Sequence, residues 1–135
     1  DKSTVEWWSK QANIVKEYSL SQSNTDVTIE HAMNMCEVWI KSTQTSSDEL
    51  CFVRGSMDIV VLDHIAWQLK SQPLFEYYRY RDVRTFIDCT YPNSKGGYVE
   101  VDTNKCNGFA LHKVLRHHPV HDCCHDLAMM LFGVV

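Results

Sequence analysis

The chain is poor in the features that would classify it at a glance. Its longest apolar run is the tail segment LAMMLFGVV, well short of the ~20 residues that span a bilayer, so no transmembrane segment is expected. Basic residues do not prevail either: 13 Lys and Arg face 17 Asp and Glu, a net charge of −4 with histidine neutral. Nucleic acid is bound through a basic footprint, and anionic membranes attract basic segments. The charge balance therefore argues against both as partners. There is no C-x-x-C pair, which removes the common zinc patterns. No N-x-[ST] sequon and no G-x-S-x-G nucleophile turn occur. No signal-peptide pattern is seen, and the opening DKSTVEWW suits a mature chain whose signal has been removed.

What is present reads as a single globular domain over residues 1–135, with 44% hydrophobic and 22% charged residues. Six cysteines, Cys36, Cys51, Cys89, Cys106, Cys123 and Cys124, form an even set. An even set without metal spacing predicts three disulfides and an oxidising compartment, hence a secreted or extracellular protein. Adjacent Cα atoms lie about 3.8 Å apart, whereas a disulfide normally spans about 4.4–6.8 Å. Cys123 and Cys124 are therefore expected to reach different partners. Cys36 with Cys51 is the first-choice bridge, because both would lie near the facing ends of consecutive helices.

Periodicity predicts helices. Val5, Trp8, Ala12 and Val15 mark one over residues 3–18; Ile29, Met33, Cys36 and Ile40 mark a second. Ser46 and Glu49 have capping-box spacing before a long segment with two apolar stripes, Leu50-Val53-Met57-Val60-His64-Trp67 and Phe52-Ile59-Leu62-Ala66-Leu69. That helix is expected at the centre of the fold, ending before Pro73 and burying His64. Pro73 opens a fourth helix, PLFEYYRYRDVRTFIDC, and FALHKVLRHH forms another piece. A last helix starts at Pro119 with a stripe through Val120, Cys124, Leu127, Leu131 and Val134. YVEVD is long enough for only one arm of a hairpin. The expectation is an all-α, disulfide-stapled bundle of five or six helices with at most one short β-hairpin near residues 96–103.

Two segments are candidates for function. FEYYRYRDVR gathers Tyr77, Tyr78, Tyr80, Arg81 and Arg84, residue types enriched at protein-binding hot spots; on a helix Tyr77, Arg81 and Arg84 share a face. HHPVHDCCHD holds four histidines and two aspartates. His118, His121 and His125 at i, i+3 and i+7 could bind a metal weakly, but His118 precedes proline and is expected to be extended. The segment reads as a helix start, with Asp122 at the positive end of the helix dipole and His121 and His125 turned to solvent. CCHD resembles secretory phospholipases, in which a helix carries adjacent cysteines and then a His–Asp pair. That family places two residues between the pairs and has a glycine-rich calcium loop upstream; this chain has neither. Helical six-cysteine odorant-binding proteins have their second and third cysteines three residues apart, which also fails here.

The sequence thus predicts a secreted, non-enzymatic protein that binds an extracellular protein or receptor, with no catalytic residue, metal or cofactor and no nucleic-acid partner. A carrier of a small apolar ligand, with Trp7 in its groove, is the second reading. A secreted hydrolase using His125 and Asp126 is the third.

Overall fold

The structure, a computed structural model of the chain, describes residues 1–44, 46, 48–106 and 115–134. Among them are helices α1 (Lys2–Ser9), α2 (Asn13–Leu20), α3 (Ile29–Thr43), α4 (Met57–Gln68), α5 (Val83–Thr90) and α6 (Pro119–Phe132), and strands β1 (Cys51–Val53) and β2 (Tyr80–Asp82). A 3-10 turn, Tyr77–Arg79, leads into β2. The residues fall into two compact units, Asp1–Asp26 with Val101–Gly133, and Val27–Glu100 with Val134.

The expected all-α, disulfide-stapled bundle is corrected on two counts. First, β1 and β2 pair in parallel, with Cys51 opposite Tyr80, Phe52 opposite Arg81 and Val53 opposite Asp82. Second, none of Cys36, Cys51, Cys89, Cys106, Cys123 and Cys124 is disulfide-bonded. An even count says nothing of geometry: a bridge needs two Cβ atoms aimed at each other within about 4.5 Å. The preferred Cys36–Cys51 pair is not formed; Cys36 lies exposed on α3 and Cys51 half-buried on β1. Without bridges, the inference of an oxidising compartment loses its premise. The hairpin near 96–103 is also absent among the described residues, where Val101 makes one isolated antiparallel bridge to Gly133.

In the unit containing β1 and β2, the long helix predicted from Leu50 is interrupted. Glu49 does reach back to the Ser46 N–H, but the chain then runs into β1, and Gly55 at φ +83° turns it before α4 begins. A left-handed residue there suits glycine, which has no Cβ to clash. α4 ends ahead of Pro73, at a left-handed Lys70 (φ 54°). The Lys70 N–H bonds the Trp67 carbonyl and the Ser71 N–H bonds the Ala66 carbonyl, the paired bonds of a Schellman stop. Nor is α4 central. Ala66 is its one buried residue, while Met57 and Trp67 are 72% and 74% exposed. The buried apolar side chains among the described residues of this unit are Met33, Ala66, Val83, Ile87 and Tyr91. Ile87, on the inward face of α5, is fully buried, worth roughly 1.5–3 kcal/mol relative to exposure.

The predicted fourth helix is split as well, into the 3-10 turn, β2 and α5, and Asp82 makes the split. Its Oδ2 accepts from the Thr85 N–H and hydroxyl at 2.8 Å each, capping α5. Its Oδ1 accepts from the Gly55 N–H at 2.9 Å. One carboxylate therefore fixes the start of α5 and the turn after β1. A second, Asp88, accepts from the Ser94 hydroxyl and from the Gly97 N–H. Partial burial pushes the Asp82 carboxyl up, but the bonds from the Thr85 hydroxyl and from the N–H groups of Gly55, Thr85 and Arg84 outweigh it and hold it below the ordinary aspartate range. The Ser94 hydroxyl and the Gly97 N–H hold Asp88 low in the same way.

In the other unit, the helix expected over residues 3–18 is broken at Lys10–Ala12 into α1 and α2, and Val15 is the buried residue of the pair. α6 buries Ala128 and Met129 completely. The stripe expected to be buried is on the outside, with Val120, Leu127 and Leu131 exposed. The Asp102 N–H bonds the Phe132 carbonyl at 2.8 Å. The expected FALHKVLRHH piece lies outside the described residues up to 114. No helix among the described residues is long and apolar enough to cross a membrane.

Two outcomes follow. Alkylation of the denatured, unreduced protein should add six alkyl groups by intact mass, and fewer than five would restore a bridge. A depressed carboxyl contributes stability that is present above its unfolded pKa and lost as pH falls through its folded value. The melting temperature should therefore hold at neutral pH and fall below about pH 4. Asp82→Ala should cost about 1 kcal/mol, the usual worth of an N-cap, and flatten that acid dependence.

Candidate functional site

The head of α6 is where groups able to do chemistry converge. Pro119 occupies the first helical position, where its missing N–H costs nothing and its fixed φ is already helical. His118 before it is extended, with φ −91° and ψ 122°, as the residue before proline must be. His117 is held at φ 67°, a left-handed conformation that costs a non-glycine residue on the order of 1 kcal/mol. Two contacts keep it there. Its N–H bonds Asp122 Oδ1 at 3.1 Å, and its ring meets Trp7 edge-on at 4.8 Å.

The His118 ring lies against His121 at 4.3 Å and meets Tyr18 edge-on at 4.9 Å. His118 Nδ1 is buried and has no hydrogen-bond partner among the described residues. His121 Nδ1 accepts from the Leu115 N–H at 2.9 Å, which places the proton of its neutral ring on Nε2. The result is two stacked imidazoles, one with an unused buried nitrogen and one with an oriented N–H; Tyr18 lies against His118, and the preceding His117 is tied to Asp122 and lies against Trp7. Such a group can move a proton and donate to an anionic oxygen. The expectation that His121 and His125 face solvent is corrected, since both are half-buried.

Divalent ions are held in proteins by groups of carboxylates and imidazoles. Among the described residues no three His, Cys, Asp or Glu side chains stand together so as to hold one. Asp122 Oδ1 and His121 Nδ1 are already engaged. The described donors therefore do not by themselves fit a metal centre, and no step is assigned to one.

The other predicted site residues are dispersed. Tyr77 and Tyr78 are exposed in the 3-10 turn, Tyr80 and Arg81 lie on β2 and Arg84 on α5, so Tyr77, Arg81 and Arg84 do not share a helix face. The Arg81 Nη1 is spent on the carbonyls of Tyr78 and Tyr80. Tyr80 is half-buried, and its hydroxyl has no partner among the described residues. Burial pushes that phenol up, with the charges of Asp63 and Cys51 adding to it. His64, expected in the core, is exposed on α4, its Nε2 2.9 Å from the Gln68 amide nitrogen. His125 and Asp126 lie half-buried on α6. The sequence reading missed Tyr18 as the neighbour of His118 and Trp7 as the neighbour of His117. Periodicity pairs residues within one helix, and these pairs join α1 and α2 to a segment about a hundred positions later.

Compared with known families, the chain falls among the nucleic-acid-processing enzymes. It belongs to the 3'-5' exoribonuclease Rv2179c-like domain family, whose model matches residues 1–132. No curated protein and no solved structure matches the chain. Membership overturns the reading as a non-enzymatic binder of an extracellular protein, and with it the apolar-ligand carrier. It also overturns the exclusion of nucleic acid, because the family's activity implies RNA as substrate. Net charge misled because it averages over the whole chain, whereas a phosphate backbone is bound by local cations.

If the Asp122 bond is what holds His117 in its left-handed state, Asp122→Ala should cost about 1 kcal/mol in thermal unfolding. Asp122→Asn, which keeps an acceptor oxygen, should lose less than half of that. Equal losses would show that charge at the helix start, not the bond, is what matters.

Proposed function

We propose that this domain removes nucleotides from the 3' end of single-stranded RNA, and that the head of α6 is its reacting centre. Residues 1–135 are taken as one functional domain for this purpose. The observation that carries the reading is the family match over residues 1–132, which spans every residue of the His117–Asp122 cluster. In hydrolysis, water attacks the terminal phosphorus and the 3' oxygen of the preceding nucleotide leaves, collecting a proton. His118, with an unused buried nitrogen, is suited to take or give that proton. His121, its Nε2–H set by the Leu115 bond, is suited to donate to a phosphate oxygen. The start of a 14-residue helix favours an anion. Trp7, 43% exposed, and Tyr18, 69% exposed, offer faces on which bases stack, an interaction that tolerates any sequence.

The test is cleavage of a 5'-labelled single-stranded RNA with divalent ions supplied. Wild-type protein should shorten the label stepwise from the 3' end. His118→Ala should lower kcat by a factor of roughly 10² or more, the usual contribution of acid–base catalysis, while its melting temperature stays near wild type. A ladder from the 5' end, internal cuts only, or full activity in His118→Ala would each reject the assignment.

A further inference from the structure

We propose that the turn at residues 77–81 is a base-stacking element for single-stranded RNA: a base lies on the open ring of Tyr77, and the Arg81 guanidinium meets a phosphate of the same strand. This proposal rests on the RNA-processing reading above. The turn belongs to the sheet-bearing unit, whereas the head of α6 belongs to the other.

Tyr77 keeps 85% and Tyr78 60% of its surface open. The two rings meet edge to face, with centroids 5.5 Å apart and planes at 88°. In that arrangement one ring's edge covers one face of the other, so the remaining faces stay available to a flat partner. The backbone that carries the rings is fixed. The Arg79 N–H bonds the Glu76 carbonyl at 2.9 Å and closes the turn. Arg79 Nε donates to the Glu49 carbonyl at 2.7 Å, and its guanidinium lies over the Phe75 ring at 5.2 Å. Arg81 Nη1 donates to the Tyr78 and Tyr80 carbonyls at 2.6 and 2.7 Å. Two arginines thus hold a turn from which two tyrosines project away from the core.

Exposed rings on a fixed turn match the chemistry of single-stranded nucleic acid, because every base has a π-face and stacking accepts any sequence. Arg81 spends one nitrogen on the turn, and among the described residues its Nε and Nη2 meet no acceptor. They are left for one phosphate. The turn is not strongly basic: exposed Glu76 precedes the rings, and the Arg79 guanidinium is held against Phe75. Affinity here therefore comes from the rings more than from charge, which suits a chain of net charge −4. A protein hot spot would set its aromatic anchor in a dry pocket, whereas charged, exposed Glu76 and Arg81 flank this pair.

The experiment is equilibrium binding of a 5'-fluorescein phosphorothioate single-stranded RNA, which resists cleavage, by anisotropy at several salt concentrations. Tyr77→Ala should weaken binding by roughly 10-fold with the salt dependence unchanged, and Tyr77→Phe, which keeps the ring, should bind close to wild type. Tyr77→Leu, which keeps apolar bulk without a flat ring, should lose as much as Tyr77→Ala. Arg81→Gln should lower the slope of log Kd against log salt by about 0.7, the share of one phosphate on a single strand. If wild type binds RNA and both Tyr77→Ala and Arg81→Gln bind equally well, the turn faces something other than RNA and the exonuclease reading stands. Wild-type affinity in Tyr77→Leu would equally overturn the stacking role. If wild type binds no RNA at all, both readings fall together.

Discussion

The carboxylate of Asp82 is the constraint on which the sheet-bearing unit depends. It closes β2, caps α5 and holds the Gly55 turn that follows β1. A two-stranded parallel sheet of three residues per strand has too few ladder bonds to register itself, and parallel pairing is the weaker kind. The register of Val53 opposite Asp82 is therefore enforced at its end by a side chain. Through Gly55 the same clamp positions Arg54, and through α5 it positions Arg84. Asp88, one turn and a half further along, extends the arrangement to the loop of Tyr98. Arg54 and Arg84 thus sit on a frame whose geometry is set by two carboxylates.

The α6 head follows a different logic. Pro119 and the extended His118 follow from sequence alone, and a helix starting there was legible. The strained His117 was not, because its conformation comes from Asp122 five residues on and from Trp7 in another helix. Asp122 was read as a dipole partner with no further role, yet its bond to the His117 N–H shapes the cluster. Adjacent histidines before a proline were a usable signal: such a pair cannot both join the helix, so both rings are left at its mouth.

Elsewhere the sequence misled for identifiable reasons. The apolar stripes from Leu50 to Leu69 fit a 3.6 period, but Phe52 and Val53 fit an extended strand equally well, and short apolar runs do not distinguish the two. Gly55 was the discriminating residue. The segment from Pro73 to Cys89 looked like one helix because the capping role of Asp82 lies in what precedes it, a strand, which no local pattern announces. Cysteine parity was trusted over geometry, and net charge over charge distribution. Those two totals led to the secreted binder; a family match over residues 1–132 and unbridged cysteines replace it.

The central claim is that RNA engages the imidazoles at the head of α6. It is tested most directly by NMR of the histidine side chains during titration with a phosphorothioate single-stranded RNA, which resists cleavage. The account predicts that the His118 and His121 ring resonances shift progressively and saturate together, while His64, on exposed α4, moves little. Saturable binding that leaves both rings unshifted would contradict it and place the chemistry elsewhere in the domain.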